Sequence, residues 1–82
     1  MYTSREIRKK IKLTSLTEVH EFVKLADACD FDVNIGYDRI LIDGKSIVGV
    51  MGLDLGRALT VNYSGDSPAM EHFLDTHPWP KN

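Results

Sequence analysis

The sequence is poor in the residues that staple, ligate or anchor: one cysteine, three prolines and one tryptophan in 82 residues. No apolar run approaches the roughly 18 residues of a membrane span. No charged leader followed by an apolar stretch and a small-residue cleavage site opens the chain, so neither span nor signal peptide is expected, and the reading is cytoplasmic. Cys29, standing alone, excludes an internal disulfide and a thiolate-rich zinc site, and as a small apolar residue near a helix end it is expected in the core. Gly49, Gly52 and Gly56 form neither G-x-G-x-x-G nor a P-loop, which excludes a nucleotide cradle and leaves them to packing and turns. His20, His72 and His77 have no ligand spacing, so no metal is expected. Carboxylates are plentiful, but nothing pairs two of them as acid and base, so the chain is read as lacking a self-contained enzyme site and needing no cofactor.

What is present is the composition of one small folded unit. Forty-three per cent of residues are apolar and 27% are charged, with a net charge of −2, which gives no reason for disorder. A chain of this length builds one modest core and no deep cleft. Charge is unevenly placed. Arg5, Arg8, Lys9, Lys10 and Lys12 against Glu6 make the first twelve residues +4, and the remaining seventy are −6. A basic strand can touch phosphates, but no aromatic or groove-reading residues accompany it, so nucleic acid is disfavoured as a partner. Edge-strand lysines that discourage strand addition account for the pattern equally well.

Apolar periodicity places the elements. Ile7, Ile11 and Leu13 share one strand face, interrupted by Lys9. Ser15-Leu16-Thr17-Glu18 has the form of a capping box and opens a helix from Leu16 to Ala28, with Leu16, Val19, Phe22, Val23, Ala26 and Cys29 on its apolar side. Phe31, Val33 and Ile35, then Ile40 and Ile42, alternate around Gly36-Tyr37-Asp38 as a hairpin with one face of each strand in the core. From Ser46 to Leu55 apolar residues are too dense for alternation, and Ser46 caps a short helix weakened by two glycines. Leu59, Val61 and Tyr63 form a last strand, and Ser67-Pro68 open a final helix with Met70, Phe73 and Leu74 inward. The order predicts an α/β (α+β) fold: a four-stranded antiparallel sheet covered on one face by helices. It is read as a single domain over residues 1–76. The tail 77–82 is broken by Pro78 and Pro80, and its Trp79 either caps the core edge or moves freely.

The stretch Asp43-Gly44-Lys45-Ser46-Ile47-Val48-Gly49-Val50-Met51-Gly52-Leu53 resembles the HPr family, the small phosphocarriers of the bacterial phosphoenolpyruvate-dependent sugar phosphotransferase system. The similarity extends more loosely from Ile11 to Leu74. It implies a βαββαβα open-faced sandwich. The family's phosphorylatable histidine and its arginine, counted back from Phe22-Val23, fall on Ser15 and Thr17, so the resemblance implies a diverged member without the phosphocarrier residues. Ser46 falls where an ATP-dependent kinase phosphorylates related proteins; a plain N-cap is the other reading of the same residue. Lys45, Ile47, Val48 and Met51 fall on the partner-facing helix. The function expected is therefore a non-catalytic regulatory or docking module, open to control through Ser46. Its expected partners are phosphotransferase-system proteins, a serine kinase or a transcriptional regulator, with no membrane. A carrier using an unconventional residue and a small-ligand or nucleic-acid domain are the alternatives.

Overall fold

A computed structural model describes residues 5–80. The elements are β1 (Glu6–Ile11), α1 (Leu16–Asp27), β2 (Val33–Tyr37), β3 (Ile40–Asp43), α2 (Ile47–Met51), β4 (Leu59–Ser64) and α3 (Pro68–Asp75). The strands form one antiparallel sheet in the order β1-β4-β2-β3, so this is the α+β, βαββαβα layout expected. The register pairs Ile7 with Tyr63, Ile11 with Leu59, and Ile35 with both Val61 and Ile42. Strand alternation sends these residues to the helix side, and sends Arg8, Lys10, Asn62 and Asn34 to the other face.

The core is continuous between sheet and helices. Val19, Phe22 and Ala26 of α1 are buried against it, together with Val50, Met70, Phe73 and Leu74. Each helix begins on a serine with extended backbone whose hydroxyl accepts an amide three residues on, which satisfies one of the donors a helix start leaves open.

Several expectations change in detail. Leu16 is 58% exposed rather than on the buried side; at about 100° per residue it lies at the rim of the Val19–Phe22–Ala26 stripe and at the helix end, where the core no longer reaches. α1 ends one residue early, with Ala28 as C-cap. β1 ends at Ile11, although Leu13 is still buried. Lys9 does point to the helix side, where it is half-buried and its ammonium meets Asp75 of α3. Phe31 precedes β2 and stacks on Tyr63 at 5.3 Å. The hairpin turns at Asp38, in the left-handed region at φ 54°, and not at Gly36, which lies within β2. Only β2 of that hairpin is buried: Ile40 is 46% exposed and Ile42 half-buried, because β3 is the sheet's edge. The helix expected over 46–55 is only Ile47–Met51, capped by Gly52, as two glycines in so short a segment favour early termination.

Candidate functional site

Ser46 sits at an exposed corner between β3 and α2. Its amide donates to the Asp43 carbonyl at 3.0 Å, its hydroxyl accepts from the Gly49 amide at 3.1 Å, and its carbonyl takes the Val50 amide at 2.9 Å. Gly49 is required here by packing: a Cβ would lie 2.7 Å from the Ile42 methyl Cγ2, so only glycine lets α2 approach β3 this closely. That approach turns Val50 into the core, with Leu53 just past the helix, and turns Val48 and Met51, one turn apart, to solvent at 79% and 47% exposure.

The other residues of the expected partner face are placed differently. Ile47 is half-buried and packs on the core. The Lys45 side chain runs back to α1, where its ammonium donates to the Cys29 carbonyl at 2.9 Å. It thereby satisfies a carbonyl just beyond the helix C-terminus and complements the negative end of the helix dipole. The apolar exposed surface of α2 is thus Val48 and Met51.

At the start of α1, Ser15 is exposed and its hydroxyl accepts from the Glu18 amide at 3.2 Å; Thr17 is exposed beside it. The Glu18 carboxylate reaches back one residue further than a simple capping box, accepting from the Thr14 amide at 2.7 Å and the Thr14 hydroxyl at 3.0 Å. These bonds stabilise its charged form. The amide of Thr14 is the main reason its pKa lies below the ordinary value, with the hydroxyl and His77 assisting against a smaller desolvation effect. His77 Nε2 stands 3.5 Å from Glu18 Oε2. An imidazole therefore does lie near the first turn of α1, but it comes from the tail, sixty residues from Thr17 in the chain. Local spacing gives no sign of it.

The remaining chemistry-bearing residues stay apart. His20 is exposed on α1 and His72 on α3, and no cluster of three or more potential metal ligands occurs among the described residues. Cys29 is buried, its thiol on the Leu25 carbonyl. A second polar group escaped the sequence reading: the Tyr37 hydroxyl accepts from the Asp54 amide at 2.8 Å, while Arg57 pairs with Asp38 at 2.6 Å and lies 4.2 Å over the Tyr37 ring. It ties the β2–β3 turn to the loop before β4. No described helix is long and apolar enough to cross a membrane. No protein-family model matches this sequence, and no curated protein shows significant similarity to it.

Proposed function

We propose that the chain is an HPr-like, cytoplasmic docking module that binds a protein partner through α2 and is controlled by phosphorylation of Ser46. The observation that carries this reading is the juxtaposition on one short helix of an exposed serine at the cap with Val48 and Met51 in solvent directly beyond it. Exposed apolar side chains that the fold does not use invite a partner, and methionine adapts to varied surfaces. Phosphate on Ser46 would add nearly −2 charge beside the patch, next to Asp43, while meeting the first amides of α2. A modification there would change recognition without entering the core. The partners that fit the resemblance are phosphotransferase-system proteins, a serine kinase or a transcriptional regulator.

Ser15 and Thr17 are surface residues with no observed role beyond capping, and a phosphoserine would hold its phosphoryl group too stably for onward transfer. The carrier reading has one observation in its favour, the imidazole of His77 near Glu18. Its Nδ1 is 2.8 Å from the Phe73 carbonyl and its Nε2 faces a carboxylate, surroundings that repel a phosphoryl group.

The test is intact mass with site mapping after two incubations: phosphoenolpyruvate with the system's first enzyme, and ATP with an HPr kinase. One phosphate from ATP alone, on Ser46, supports the regulated module. Phosphate from phosphoenolpyruvate makes the protein a carrier and overturns the reading. No phosphate in either removes the regulation, and partner capture that survives Val48→Asp and Met51→Asp removes the docking face.

A further inference from the structure

We propose that His77 is the latch of a C-terminal strap, residues 77–80, which closes over the edge of β1 when the imidazole carries two protons. β1 is an edge strand, and an uncovered edge is open to strand addition. The tail covers it. The Lys12 amide donates to the His77 carbonyl at 2.8 Å, the Trp79 amide donates to the Lys10 carbonyl at 3.2 Å, and Pro78 stands opposite Ile11 in an antiparallel bridge. The Lys12 ammonium lies 5.7 Å over the Trp79 indole, holding the end of the strap from the side-chain direction. The prolines at 78 and 80 supply no amide donors, so the strap makes few main-chain bonds and depends on its side-chain anchors.

The principal anchor is the His77 ring. It stacks on Phe73 with centroids 4.0 Å apart and planes 19° from parallel. Nδ1 is 2.8 Å from the Phe73 carbonyl and 3.1 Å from the Thr76 hydroxyl, and Nε2 is 3.5 Å from the Glu18 carboxylate. A carbonyl and an ionised carboxylate only accept hydrogen bonds, so the two ring nitrogens face two acceptors. Only the imidazolium donates to both; the neutral ring leaves one lone pair against an oxygen. The charged groups around the strap are Glu18 of α1, Lys12 just past β1 and Asp75 of α3, the last engaged by Lys9. Glu18 is therefore the carboxylate available to the ring. Losing the second proton removes the charge pairing with Glu18 that joins the strap to α1. The inference is independent of the docking reading.

Trp79 is the chain's only tryptophan, so its emission reports the strap. The experiment follows Trp79 fluorescence, with protection of the Lys12 and Trp79 amides against hydrogen exchange, from about pH 5 to 8 in the intact chain, in His77→Gln and in Glu18→Gln. The intact chain is expected to give one step in emission, with Lys12 protection falling as pH rises. His77→Gln, which keeps a donor for the Phe73 carbonyl, is expected to be folded and to lack the step. Glu18→Gln, which removes the carboxylate charge facing Nε2, is expected to keep the step but at lower pH. A step that persists in His77→Gln, or protection in the intact chain that is independent of pH, overturns the proposal. Circular dichroism of each variant separates strap release from unfolding.

Discussion

Replacing Tyr63 with phenylalanine should make this protein more stable. Tyr63 lies on β4 between Ile7 and Val33, is buried, and stacks on Phe31. Its hydroxyl is buried with no hydrogen-bond partner among the described residues. A buried polar group without a partner costs about 1–3 kcal/mol, and Tyr63→Phe deletes that group while keeping ring volume and stacking. The expected gain is about 1 kcal/mol at neutral pH, which for a domain of this size raises Tm by about 4–8 °C. A second signature separates this cause from a general packing effect. Burial, with a smaller contribution from the Glu71 carboxylate, raises the phenol pKa from 10.0 to about 12. Between those values the unfolded chain loses the proton and the folded one keeps it, so the native contribution is intact below pH 10 and declines as pH rises toward 12. The decline is worth roughly 1–3 kcal/mol at the top of that range. Urea titrations of both proteins at pH 7 and at steps above pH 10 measure both effects, and lysine and arginine titrations cancel in the difference. The gap between variant and parent should widen above pH 10. Destabilisation by 1 kcal/mol or more at pH 7, with no widening, would refute the reasoning and show that the hydroxyl is well bonded in solution.

Three further changes test other parts of the fold. Phe22→Ala removes a fully buried ring that packs on Phe73 at 6.2 Å; a loss of about 3–5 kcal/mol is expected, a large share of the total for so small a domain, read as a fall in the urea midpoint. Gly65→Ala would set a Cβ 2.5 Å from the Phe31 ring, so displacement of the Phe31–Tyr63 stack should cost about 1–3 kcal/mol, and a melting temperature equal to the parent's would mean the ring moves freely aside. Ser67→Ala removes the cap that accepts the Met70 amide at 3.2 Å and should cost about 1 kcal/mol, whereas Ser67→Asp, itself a good cap, should restore it in the same thermal assay.

Local sequence determined what depends on nearest neighbours along the chain. The three serine caps are readable because a hydroxyl and an amide three residues on need nothing else to meet. The buried faces of α1, β2 and β4 follow from spacing, since a helix stripe or alternate strand positions must be covered by something. The seven elements in order follow from these signals, and their order restricts the topology strongly. Ser46 as the exposed cap of a weak helix was also visible in its flanking residues.

Tertiary packing decided the rest, because pairings over long separations leave no local periodicity. β3's place at the edge left Ile40 in solvent although its alternation matches that of Ile35. The chain's return from α3 brought Asp75 to Lys9 and Glu71 to Arg5, neutralising on one sheet face the cations that the sequence shows only as a basic run. Lys45 became a helix-end ligand and not a surface residue because α2 docks beside the end of α1. His77 met Glu18 across 59 positions because α3 ends over the first turn of α1. Composition supplied each of these side chains; which oxygen each one found depended on how the layers closed, since that closure alone sets distances between residues far apart in the chain.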